Sequence, residues 1–254
     1  MVKRTTSKSK EEQKREVVGT TKTDDLVRII PEEMLGAYLH FGHRRTITHP
    51  RMKPFIHTVR NSISIIDLEK TKQYFEEALA FIARVVADGG KILFVATRVP
   101  AKDLVRSIAK DLEMFYVAER WLGGTLTNFK TVAVRLSYLK DLEKKKKGGE
   151  WGKYTKKEQH DFEEELTRLR RKFEGIHEME KLPDAIFILN LSKDILPAKE
   201  SRALGIPVIA VCDTNVDPAL ADYPIPANDD AVDAVKYILG KIGEVITQVK
   251  KKPS

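Results

Sequence analysis

The chain has 254 residues, with 45 Lys and Arg against 37 Asp and Glu, a formal net charge of +8 and one cysteine. That length permits one large domain, or one domain carrying an insertion, with a core large enough to need no disulfide staple, and a lone Cys212 excludes an intramolecular disulfide and suits a buried thiol in a reducing compartment. No apolar run reaches the ~20 residues of a membrane helix and the polar start lacks a hydrophobic signal core, so a soluble, intracellular protein is expected; the positive balance admits a polyanion partner without demanding one.

Residues 1–23 are rich in Lys, Glu, Ser and Thr and lack apolar periodicity, which predicts a disordered basic arm, either a contact element or a tail without a role. Residues 250–254 read as a shorter basic tail. From His40 to Phe55 cations, aromatics and prolines interleave: Arg44, Arg45, Arg51 and Lys53 can neutralise phosphates, while Gly42, Pro50 and Pro54 point to a fixed path. Ser62–Ile66 follows as a strand candidate, and Thr71–Asp88 has helical spacing closed by Gly89-Gly90. A buried strand is expected over Lys91–Ala96, a helix over Lys102–Glu113 and a short strand over Phe115–Val117.

Arg120-Trp121-Leu122-Gly123-Gly124, continuing to Phe129, combines a cation, a large aromatic and two glycines. It reads as a loop that packs tightly, bends freely and still presents polar groups. No strand signal follows until residue 174. Phe129, Val132, Leu136 and Leu139 step by helical intervals, as do Phe162, Leu166, Leu169 and Phe173, with a charged linker at Lys144–Gly149 between them. This predicts a helical hairpin over 127–173, inserted into an α/β domain made of 24–126 and 174–249. Such a hairpin either docks on a partner or stands as a self-contained antiparallel coiled coil. Ala185–Leu189 and Pro207–Val211 are further buried strands, Lys199–Leu204 a helix ended by Gly205, and Asp229 to about Val249 a closing helix. Near-continuous apolar strands separated by helices predict a doubly wound parallel α/β sandwich.

Doubly wound sheets often bind nucleotides beyond the carboxyl ends of their strands. Here Thr97-Arg98-Val99-Pro100 follows the first buried strand in place of a glycine-rich phosphate loop, and no Gly-x-Ser-x-Gly elbow occurs. No catalytic residue, cofactor or small-molecule substrate is therefore expected. His40 and His43, with Asp213 as an oxygen donor, are the candidate metal set; contact with phosphate or local packing is the other reading, and no metal is assigned. Arg60, Lys102, Arg106, Arg120 and Lys130 extend the candidate cationic surface.

Eight segments resemble a known family. They are Leu39-His40-Phe41-Gly42-His43, Pro50–Ile56, Ile65–Thr71, Arg120–Phe129, Leu182-Pro183-Asp184-Ala185, Leu204-Gly205-Ile206-Pro207, Asp213-Thr214-Asn215 and Pro226–Ala231. In order and spacing they resemble the small-subunit ribosomal protein S-two family over about residues 32–245. The resemblance implies a flavodoxin-like sheet with an inserted coiled-coil hairpin. It also implies a cytoplasmic, non-enzymatic constituent of the small ribosomal subunit that binds small-subunit rRNA, joins late in assembly and helps dock the mRNA-binding ribosomal protein S-one. On that basis Arg44, Arg45, Arg51, Lys53, Arg60, Arg98, Lys102, Arg120 and Lys130 would hold phosphates, with Phe41, Gly42, Trp121, Gly123 and Gly124 fixing loops rather than stacking on bases. The chain departs from the family's pattern at Val99, Thr48, His49 and Asn190.

Overall fold

Phe94 and Phe187, on neighbouring strands with ring centroids 5.4 Å apart, mark the centre of one side of the molecule. The computed structural model describes residues 27–99 and 101–251; the expected basic arm, and the tail beyond Lys251, lie outside them. A parallel sheet of five strands holds β4 (Ile92–Val95), β5 (Phe115–Val117), β6 (Ala185–Ile188), β7 (Val208–Cys212) and β8 (Tyr223–Pro226) in the order β5-β4-β6-β7-β8. That is the flavodoxin-like strand order, with its switch point between β4 and β6. Because strand side chains alternate in direction, Ile92, Phe94, Ala185, Phe187, Ile209 and Val211 face one core, and Leu93, Val95, Ile186, Ile188, Val208 and Ala210 the other.

The first face is covered by α2 (Leu68–Ala87), α3 (Ala101–Asp111) and α7 (Val232–Lys251), which bury Phe75, Leu79, Ile82, Val105, Ile238 and Ile242 against it. The second is covered by α6 (Ile195–Ala203), the loop around Trp121, and the base of a helix pair, α4 (Phe129–Lys147) and α5 (Lys156–Phe173). Ion pairs Lys146–Glu163 and Glu143–Arg170 run the pair antiparallel. Leu136, Leu139, Leu142, Leu166, Leu169 and Phe173 are buried, and Trp151 packs on Phe162 at the far end. Lys144–Lys147, expected as linker, form the last turn of α4, where their charge complements the negative helix end. No described helix is long and apolar enough to cross a membrane.

Ser62–Ile66 was expected as a strand, with no pairing assigned. Ile63–Ile66 is indeed a strand, β3, but it is the middle of a separate antiparallel sheet with β1 (Phe41–Arg44) and β2 (Ile56–Arg60). Asn61 and Ser62 both have positive φ, 49° and 63°, the geometry of a tight two-residue hairpin turn that returns β2 onto β3. Helix α2 begins at Leu68, three residues before the expected Thr71, because the Asp67 carboxylate accepts the Glu69 N–H as an N-cap. The closing helix begins at Val232, not Asp229: Asn228 Oδ1 accepts the amides of Asp230 and Ala231, holding a turn there instead. The short α1 (Pro31–Gly36) and β8 carried no expectation.

Both outer edges of the parallel sheet are closed. At β8 the Ala227 amide donates to Cys212 O. Strand alternation then leaves Pro224 and Pro226 at outward positions, where their missing N–H groups disturb no ladder. The outward carbonyl of Pro226 accepts from Thr71 Oγ1 at 2.6 Å. At β5 the chain returning from α5 passes so close that a Cβ on Gly175 would lie 2.1 Å from Tyr116 O. Gly175→Ala should therefore destabilise the fold by roughly 1–3 kcal/mol or more in urea unfolding. Gly152→Ala, where nothing lies within 4 Å, should change stability by less than about 0.5 kcal/mol.

Candidate nucleic-acid interface

The basic segment is anchored to the carboxyl end of the parallel sheet. Asn228 N donates to Leu39 O (3.0 Å) and its side-chain amide to Tyr38 O (3.1 Å). His43 N donates to Thr214 Oγ1 (2.9 Å), and His49 N to Thr214 O (2.8 Å). Gly42 lets β1 approach: a Cβ there would stand 2.5 Å from the Thr214 methyl. The His43 ring lies between Asp213 (3.0 Å) and Asp230 (3.6 Å). Its hydrogen bond to Asp213 raises its pKa. Asp229, 4 % exposed with neither carboxylate oxygen hydrogen-bonded, is pushed up to about 8, first by burial and then by Asp213 and Asp230.

Of the candidate metal set, His43 and Asp213 meet, while His40 lies against Phe41 at 4.1 Å between ring centroids. Among the described residues no group of three or more His, Cys, Asp or Glu has a metal-holding arrangement.

The nine cations fall into two kinds. Arg51 pairs with Asp217 (2.7 Å), Arg98 with Asp230, and Lys102 with Glu119 (3.4 Å); Arg106 also binds Glu119 and Glu174. Arg44, Arg45, Lys53, Arg60, Arg120 and Lys130 are exposed and have no carboxylate partner among the described residues. Arg44 and Arg60 both pair in register with Ile63, one from each side of β3, so their side chains leave the same face of the small sheet. Arg45 N bonds Ser62 O beside them, and Lys53 follows in the turn Pro50–Phe55. Arg120 and Lys130 stand elsewhere, on the Trp121 loop and the first turn of α4.

The Trp121 loop is organised by Glu200 on α6. Trp121 Nε1 (3.0 Å) and Gly124 N (2.9 Å) donate to its Oε1; Leu126 N (3.0 Å) and Thr127 N (3.3 Å) donate to Oε2. Burial alone would raise the Glu200 pKa, but these donors hold it below the ordinary carboxylate value. Trp121 is buried, and Gly124 has φ +85°, so the backbone itself needs glycine there; a Cβ on Gly123 would meet only an ordinary contact, Leu196 at 3.7 Å. Glu200 escaped the sequence reading. Its one signal is position: an acid on the inner stripe of α6, three residues after buried Pro197 and beside buried Ser201.

Comparison with known proteins bears on all of this. Residues 34–248 match the family described as Ribosomal protein S2. A small ribosomal subunit protein uS2 of Fusobacterium nucleatum is 45% identical over 218 residues, covering 85% of this chain and 88% of that one. Another uS2, from Dehalococcoides mccartyi, is 42% identical over 219 residues, covering 86% and 89%.

Glu200→Ala strands five buried or half-buried donors and should cost about 2–4 kcal/mol in chemical denaturation. The acid cluster sets a pH dependence. His43, with its pKa raised, contributes stability that is whole below about 6.5 and lost as pH rises through its folded value. Asp229 keeps a proton in the folded state up to about 8 that the unfolded chain gives up near an ordinary carboxylate pKa, so it too lowers stability as pH climbs between those values. Asp229→Asn should match the parent near pH 4 and exceed it increasingly up to about pH 8, read as denaturation midpoints.

Proposed function

The chain belongs to the ribosomal protein S2 family, and from that premise we propose that it is a structural constituent of the small ribosomal subunit that binds folded rRNA through cations its own fold leaves unpaired. The observation that carries the reading is the group Arg44, Arg45, Lys53 and Arg60, exposed and without carboxylate partners among the described residues, on and beside a sheet fixed to the core. Phosphate contacts of this kind position a protein, and the shape of the folded RNA selects the site. Arg120 and Lys130 are a second contact. Arg51, Arg98 and Lys102 are already neutralised by Asp217, Asp230 and Glu119, so their share of the binding is smaller. The lysine-rich end of α4 favours RNA over protein as the neighbour of the helix pair, which we read as the inserted coiled-coil hairpin. The family resemblance supports the finer reading: late joining during assembly, support for the mRNA-binding ribosomal protein S-one, and a cytoplasmic, ribosome-associated life.

An enzyme on the same fold finds no support at the switch point. The crevice between β4 and β6 receives the Asp194 carboxylate, which accepts from Thr97 N (3.2 Å) and Thr97 Oγ1 (2.8 Å). A carboxylate there repels the phosphate that a nucleotide would bring.

In gradient sedimentation of cell lysate the protein should run with small subunits at low salt and be stripped as salt rises. The triple variant Arg44→Ala/Lys53→Ala/Arg60→Ala, rebound to subunits depleted of the protein, should flatten the log-affinity against log-salt slope by about two. An unchanged slope overturns the assignment of these cations.

A further inference from the structure

Residues that pair directly across an antiparallel ladder send their side chains to the same side. Phe41 pairs with Ile65, which pairs with Thr58; Arg44 pairs with Ile63, which pairs with Arg60. The opposite face carries Ser64 and Ile66, 0% and 1% exposed, so the first set looks outward. That outer face has Phe41, 39% exposed, and Ile63, 37% exposed, with a guanidinium on each flank of Ile63 and no acid among its paired residues. Tyr38, half exposed, stands at the edge with its ring centroid 6.1 Å from that of Phe41, and His40 backs the Phe41 ring. The adjoining strands set Arg44 and Arg60 about 10 Å apart across β3.

An apolar, partly aromatic sheet face rimmed by free guanidiniums suits a ligand with flat apolar faces and negative links between them. A base-paired helix presents no base faces, so the match is an unpaired stretch of RNA, whose bases stack on aromatic rings while its phosphates meet arginine. A protein partner would need apolar and acidic groups alternating at the same spacing, and nothing else on this face selects one. We propose that the outer face of the β1-β3-β2 sheet is a stacking platform for an unpaired RNA nucleotide, with the base on Phe41 and the flanking phosphates on Arg44 and Arg60. The proposal rests on the rRNA-binding reading above and revises the expectation that Phe41 only fixes a loop.

The test uses the full chain bound to small subunits depleted of it, with Phe41→Leu, Phe41→Tyr and Arg44→Ala/Arg60→Ala, each first checked for a parental thermal melt. Chemical probing of the rRNA bases accompanies the affinities. The expected result is that Phe41→Leu weakens binding roughly five- to hundred-fold, the worth of one stacked base, at an unchanged salt slope. Phe41→Tyr should bind as the parent, and one unpaired base protected by the parent should become reactive with Phe41→Leu. Parental affinity for Phe41→Leu overturns the platform, as does equal weakening in both Phe41 variants, or weakening with no base re-exposed, which marks a protein contact. In each of these cases a flattened slope for Arg44→Ala/Arg60→Ala leaves the rRNA reading standing; an unchanged slope removes that as well.

Discussion

Thr214 joins the two sheets, and the cationic surface hangs from that joint. Its hydroxyl oxygen accepts from His43 N, its carbonyl from His49 N, and its methyl fills the space that Gly42 leaves open. Two hydrogen bonds from backbone amides six residues apart, those of His43 and His49, fix β1 and the segment that follows it. The small sheet has one buried face, marked by Ser64 and Ile66, and draws its stability from packing that face on the larger core. Fastened at Thr214, it shares the larger core on one face and can leave arginines and apolar side chains exposed on the other.

Two buried acids show opposite solutions to the same cost. Glu200 is ionised inside the protein because four N–H groups and a hydroxyl replace its water. Its charge is spent on holding the Trp121 loop in one conformation, next to Arg120. Asp229 has no such donors and keeps its proton instead. Near it, Asp230 binds Arg98 and His43 binds Asp213, so charge at the carboxyl edge of the sheet is matched within the protein. That matching is what separates the candidate cations: the ones near the acid edge are paired, and those on the small sheet are free.

The parallel sheet was legible because both of its faces are buried, and strands such as Ile92–Val95 and Ala185–Ile188 are apolar at every position. The same rule hid the small sheet. Phe41–Arg44 has no buried residue and Ile56–Arg60 is exposed at four of its five, so they carry charge where a strand reading looks for alternation. β8 was hidden by two prolines in four residues, tolerable only because they sit at outward positions of an edge strand. The glycines of the Trp121 loop announced a tight turn, but their partner Glu200 lies more than seventy residues away, and no local pattern joins them. Free and paired arginines look alike in a sequence; only the fold told Arg44 from Arg98.

The closed edges of the parallel sheet bear on the life of the protein before it joins the small subunit. A subunit constituent is synthesised apart from its binding site and must wait for it as a free chain. A sheet with bare edges would recruit strands from other copies during that wait. Here Pro224 and Pro226 offer no outward donors, Thr71 occupies an outward carbonyl, and Gly175 brings a covering segment onto Tyr116. Templated self-association of the unassembled chain is thereby opposed by the backbone, independently of charge, and the exposed cations are left clear of it.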